Sequence, residues 1–156
     1  MENLASTDRD YALWLLLLKV RRCISKAGGK ELSPYDITPE QAGVLFIVQA
    51  LNSKTTPAEI SRLTFREPHT VSVLISRMEK KGLIKKVKDM DKRNMIRIAI
   101  TEKGEEAYKQ STQRTPIHNI MSVLSEAERQ QLMSFLQRLR DQALKELGEY
   151  SKPPFS

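Results

Sequence analysis

The sequence predicts a mainly α-helical chain with one small β-hairpin, and three observations predict it. Helix-start signals recur along the 156 residues, with a Ser or Thr followed three positions later by Gln or Glu at Thr38–Gln41, Thr56–Glu59 and Ser125–Glu128. In that pattern each side chain satisfies a backbone donor that the helix leaves unpaired. Strand-like alternation is confined to the runs 83–88 and 95–100. The net charge of +7 is localised as well: Lys54 to Lys103 holds 13 Lys or Arg against 6 Asp or Glu, and the remainder is balanced.

The elements follow in order. Thr7 or Asp8 caps a first helix expected to run to about Ala27, where Gly28-Gly29 reads as its stop. Thr38 caps a second helix, to about Leu51, with Pro39 in its first position. Thr56-Pro57 repeats the device for a short third helix ending near Thr64, and Pro68 opens a fourth that ends before Gly82. In that fourth helix Val71, Leu74, Ile75 and Met78 share one apolar stripe. Ile96, Ile98 and Ile100 point one way along the second strand, toward a core. Thr101 caps a fifth helix, Pro116 interrupts it, and Ser125 opens a last helix to about Leu147, stopped by Gly148. The tail from Glu149 is expected to be loose.

Two tandem helices followed at once by a basic hairpin make a winged helix-turn-helix, expected over residues 37–101. Helical segments 1–36 and 102–156 flank it. The face of the fourth helix opposite its apolar stripe carries His69, Thr70, Ser72, Val73, Ser76, Arg77 and Lys80. Small, hydrogen-bonding and cationic side chains suit a helix entering the major groove of DNA. Thr70 and Ser72 suit phosphates or base edges, Arg77 and Lys80 suit phosphates, and His69 at the helix start suits either. Arg66, Lys85, Lys86, Lys88, Lys92 and Arg97 add phosphate contacts. Arg93 at the wing tip suits the narrow, strongly negative minor groove, with Asp91 pinning its guanidinium. A second role for Lys86 and Lys88 is to protect a sheet edge from foreign strands.

Other classes of function find little footing. A single cysteine, Cys23, forms no intramolecular disulfide and suits a reducing compartment. The apolar run Tyr11–Leu18 is too short for the roughly 20 residues of a membrane span. Glu2, Asp8 and Asp10 are unlike a positive leader, so a cytoplasmic protein is expected. No nucleophile–base pair or phosphate-cradling glycine loop points to an enzyme. His69 and His118 stand alone, so no metal and no cofactor is expected. The rival reading is a winged helix serving as a protein-interaction module, which would present an apolar or mixed recognition face.

The first helix is apolar all round at "YALWLLLL", and the last carries Leu132, Leu136, Leu139, Ala143 and Leu147 on one face. That surface exceeds what a small winged helix covers, so the termini are expected to pair two chains. The segregated cationic face of a membrane-surface helix is missing from the first helix.

The stretches "SRMEKKGLI", Asp91-x-Arg93 and "ITEKG" resemble the multiple antibiotic resistance regulator (MarR) family of winged-helix transcription factors. The resemblance runs from the first helix to "LSEAERQQL". It implies a homodimer with interlocked first and last helices that binds pseudo-palindromic double-stranded operators, commonly a repressor released by a small ligand or by oxidation. It departs from the family pattern at Pro68-His69, where a Ser, Thr or Arg pair is usual, and at Asn94, one residue extra in the wing. Family members hold aromatic or phenolic acids between the dimer helices and the winged domain. Trp14, Arg21 and Arg22 offer an aromatic wall and an anion clamp for such a small aromatic or anionic effector, or else interface core and solvated charge. Cys23 lies late in the first helix, away from the early position of the family's peroxide-sensing cysteines, so no redox role is expected.

Overall fold

The computed structural model describes residues 8–89, 92, 94–111 and 114–148, without the side chains of 110 and 111. Among the described residues seven α-helices and a two-stranded sheet occur in the order α1 (Arg9–Leu32), a 3-10 turn (Ser33–Tyr35), α2 (Pro39–Ala50), α3 (Pro57–Thr64), α4 (Pro68–Lys80), β1 (Ile84–Lys88), β2 (Ile96–Ile100), α5 (Glu102–Ser111), α6 (Thr115–Met121) and α7 (Glu126–Glu146). The expected mainly α chain with a hairpin wing is what forms. The C-terminal tail lies outside the described residues.

All three reciprocal caps are made, by Thr38 with Gln41, Thr56 with Glu59 and Ser125 with Glu128. Asp8 caps α1 by accepting from the N–H groups of Asp10 and Tyr11. The backbone N–H of Ser125, 2.7 Å from a Glu128 carboxylate oxygen, holds the Glu128 carboxyl below its ordinary value. A lowered value in the folded chain means that this cap contributes above the unfolded value and is lost as pH falls through the folded one.

Gly28-Gly29 does not stop the first helix, which continues to Leu32. The pair lies where α1 packs against α2 and α6. A Cβ on Gly28 would lie 3.8 Å from Ile117 of α6, and one on Gly29 would lie 3.5 Å from Pro39 of α2. Both distances are ordinary van der Waals contacts, so a small side chain would fit at either position, and the helix runs through the pair although each glycine costs it roughly 1 kcal/mol. The helix gives way only at Ser33-Pro34, where a proline restricts the residue before it. Pro116 interrupts the C-terminal helix as expected: α5 ends at Ser111 and Pro116 sits in the first turn of α6.

The core lies inside the winged helix. Leu45 and Val48 of α2, Ile60 of α3, Ile75 and Met78 of α4, and Ile84 and Ile98 of the hairpin are all essentially inaccessible. β1 and β2 are antiparallel, with Ile84 opposite Ile100, Lys86 opposite Ile98 and Lys88 opposite Ile96. Ile98 also donates its N–H to the carbonyl of buried Thr55 (2.9 Å), a one-residue third strand that pins the wing to the α2–α3 connection. Beyond that bridge the hairpin leaves the body. Ile96, expected to face a core with Ile98 and Ile100, is therefore 43% exposed.

A joint connects the end of α4 to the start of α5. Gly82, at φ +71°, turns the chain into β1. Thr101 donates its hydroxyl to the Gly82 carbonyl and its N–H to Leu83 O (3.1 Å), and its hydroxyl accepts from Gly104 N–H (3.0 Å). The stretches "KKGLI" and "ITEKG" meet at this joint.

Candidate nucleic-acid interface

The rotation of α4 is set from its buried side. Val71, Ile75 and Met78 occupy the core, which leaves His69, Thr70, Ser72, Val73, Arg77 and Lys80 exposed and Ser76 half-buried. The turn before it is locked by Ser61, whose hydroxyl donates to Arg66 O while Arg66 N–H donates to Ser61 O (3.1 Å). Phe65 takes the left-handed conformation within that turn, at φ +50°. Glu67 caps α4 without a side-chain hydrogen bond, and Pro68 follows it. A groove of about 410 Å³ runs between the start of α2 and α4, with Thr38, Arg66, His69, Thr70 and Arg77 on its walls. Arg66 is held there by Glu40 at 3.8 Å.

Beside α4 the wing presents Lys85, Lys86, Lys88 and Lys92, all exposed. Lys86 leans back on Glu79 of α4 at 3.4 Å. The tip is closed by Asp89 N–H to Met95 O (2.9 Å) and Met95 N–H to Lys92 O (3.1 Å), with Asn94 left-handed at φ +79°. Asp91 and Arg93, singled out in the sequence, lie outside the described residues.

Arg97 has a different setting from the lysines. Its Nε and Nη2 both meet Asp89 Oδ2, at 2.9 and 2.7 Å, and the Asp89 side chain is only 4% exposed. This charged pair braces the wing just below its tip. Sequence reading overlooked Asp89; the signal was the hairpin register, which places it one step beyond the Lys88–Ile96 pair.

A second feature lies on the other side of α2. A largely apolar cleft of about 370 Å³ is walled by Ile24 and Gly28 of α1, Phe46 of α2, Tyr108 of α5 and Ile117 of α6. Arg114 enters it with its guanidinium 5.3 Å from the Phe46 ring centroid and 6.0 Å from that of Tyr108, and donates to the Tyr108 hydroxyl (2.6 Å). Such a cation, stacked on aromatic faces, is held in place while its charge still faces the cleft. Trp14, Arg21 and Arg22 do not line this cleft. They are exposed on α1, where Trp14 packs on Tyr11 with centroids 5.1 Å apart. No periodicity pointed to Arg114, because it is the left-handed cap residue before α6 and belongs to no helical repeat.

A helix-turn-helix followed directly by a hairpin wing defines the class: a winged-helix protein. Residues 35–93 match the sequence model of the MarR family, and this winged-helix segment belongs to that family. The chain is similar to the organohalide-sensing transcriptional regulator RdhR in its 2,4-dichlorophenol-bound form, at 29% identity and a TM-score of 0.85, over 98% of this chain and 93% of that one. It shares its fold with a MarR mutant from E. coli complexed with operator DNA, at 19% identity and a TM-score of 0.75, over 82% and 93% of the two chains. It also shares it with MepR of S. aureus complexed with DNA, at 24% identity and a TM-score of 0.75, over 82% and 94%. No curated protein matches the chain by sequence. Among the described residues no helix is long and apolar enough to cross a membrane.

Proposed function

We propose that the protein is a homodimeric, sequence-specific regulator of transcription that binds double-stranded DNA at a pseudo-palindromic operator, and a repressor released by a small-molecule effector. The observation that carries this reading is the polar and cationic exposed face of α4 beside a lysine-rich wing. In it α4 enters the major groove, His69, Thr70 and Ser72 meet base edges or phosphates, and Arg77 and Lys80 meet phosphates. Lys85, Lys88 and Lys92 follow the backbone along the wing, and Arg66 flanks the helix start. Arg97, committed to Asp89, positions the wing. The interaction-module alternative fits less well, because Val73 is the one apolar side chain on the α4 face.

The effector reading is supported by the Arg114 cleft, which offers aromatic walls and a fixed cation to a planar aromatic compound of acidic character. The 2,4-dichlorophenol bound by RdhR is of that kind.

The deciding experiment is the affinity for random duplex DNA against salt concentration. Several phosphate contacts per dimer predict a loss of about 10³-fold between roughly 50 and 200 mM salt. A flat profile would favour the interaction module. Replacing Arg93 with Ala should weaken binding to a selected operator about tenfold or more, in the range expected when one base-reading side chain is removed, and leave the melting temperature within about 2 °C. Loss of folding would remove Arg93 from the wing tip.

A further inference from the structure

We propose that Lys81 is a positioning residue that fixes the recognition helix α4 to the body of the protein and makes no phosphate contact; the inference rests on the DNA-binding reading above. In sequence Lys80-Lys81 is a pair of cations at the end of the helix that faces DNA. In the fold the two separate. Lys80 is exposed, whereas the Lys81 ammonium turns inward to three acceptors. Its Nζ lies 3.1 Å from Asp36 Oδ2, donates to the Asp36 carbonyl, and reaches Gln41 Oε1 at 3.5 Å. Three acceptors match the three protons of an ammonium group.

The two residues that supply these acceptors belong to different parts of the framework. Asp36 closes the turn after α1, its N–H bonded to Ser33 O (3.1 Å), and its left-handed backbone at φ +53° places the carbonyl within reach of Lys81. Gln41 is 3% exposed, and its Oε1 already accepts the Thr38 N–H (3.1 Å) that starts α2. From the other side, Lys103 of α5 donates to the Lys81 carbonyl (2.7 Å). One residue at the end of α4 thus joins the end of α1, the start of α2 and the start of α5.

The Asp36 side chain is 87% exposed, so its ion pair with Lys81 is a weak, solvent-screened one. Positional information comes from the Asp36 carbonyl and the buried Gln41 amide, neither of which can follow a displaced helix end. A lysine so engaged has no proton to offer a phosphate unless the joint opens.

The test is Lys81→Met in the full-length protein, with Lys80→Met beside it. Binding is measured across salt concentrations to random duplex DNA and to a duplex selected from a random pool on the wild-type protein. Lys81→Met should lower affinity for the selected duplex about tenfold, as expected when a network residue that does not touch the ligand is removed. Its affinity for random DNA and its salt slope should not change. Lys80→Met should instead weaken both duplexes alike and reduce the slope by about 0.9 for each phosphate it ceases to neutralise. A reduced slope in Lys81→Met, or unchanged affinity for the selected duplex, overturns the proposal. If Lys81→Met does not fold, Lys81→Ala, which also removes the donor, is read by the same two criteria. If the wild-type protein binds no duplex, the DNA reading fails by itself, and amide exchange decides the positioning role. Exchange at Thr38 should then be faster in the variant while α7 is unaffected; equal exchange at Thr38 overturns it.

Discussion

Gly104→Ala should destabilise the protein by on the order of 3 kcal/mol, the upper end for forcing atoms into a packed site. For a chain of this length that lowers the melting temperature by about 10 °C. Gly104 is buried in the first turn of α5. A Cβ there would overlap the carbonyl oxygen of Leu83, and would lie 2.9 Å from the Leu83 carbonyl carbon and 3.0 Å from Ile100 Cγ1. The obstacle is mostly backbone, so no rotamer change relieves it. Neither partner has room to move, because Leu83 O accepts from Thr101 N–H and the Thr101 hydroxyl holds Gly82 O and Gly104 N–H. The clash falls on the joint from which both the wing and the end of α4 are hung, so DNA affinity should fall with stability. Gly43→Ala is the control within the same thermal melts, read by circular dichroism. A Cβ on Gly43 meets nothing within 4 Å, and an exposed helical Gly→Ala change gains up to about 1 kcal/mol. Equal melting curves for the two variants would show that α5 can shift away from Leu83.

How far this joint was readable from residue order alone shows where sequence reasoning stops. Local chemistry read well. The three caps, the prolines opening α2, α3 and α4, and the turn at Gly82 each depend on residues within one turn of one another. The buried stripe of α4 read equally well, because helical period alone decides which side chains share a face. What failed or was missed depends on distance across the fold. Gly28-Gly29 has the composition of a helix stop, but α1 runs through it to Leu32 where it packs against α2 and α6. Ile96 obeys the alternation of its strand, yet the core ends at Ile98, where Thr55 bridges the hairpin. Asp89 and Arg97 meet through hairpin register, and Arg114 reaches Phe46 from a distant part of the chain. Charge density located the candidate interface but did not sort its cations: Arg97 and Lys81 have internal partners, and Lys85 and Lys88 are exposed.

Leu136→Asp combined with Leu139→Asp should give a chain that sediments as a monomer and binds a selected operator at least about 10³-fold more weakly, within the range that linkage of two half-sites supplies. Both leucines lie on α7 and are 44% and 50% exposed in the single chain, in company with Met133 and Phe135. α1 has the same character, with Tyr11, Leu13 and Trp14 each about half exposed. Large apolar side chains exposed along two long helices mark a surface that a partner covers. A second copy of the chain is the occupant proposed for it. Charges at the centre of such an interface have no partner, and burying two in each chain costs several kcal/mol per ion, enough to separate the copies. The effect on DNA follows from linkage. With two winged helices joined, the second half-site is bound intramolecularly at an effective concentration in the millimolar range, and a monomer loses that gain, worth about 10² to 10⁴ in affinity. The winged-helix core, centred on Leu45, Ile75 and Ile98, is built from other elements and should keep its cooperative melt. Sedimentation equilibrium and operator titration on the same preparation check both parts. A variant that stays dimeric would remove α7 from the interface, and a monomer with undiminished affinity would remove pairing from the mechanism.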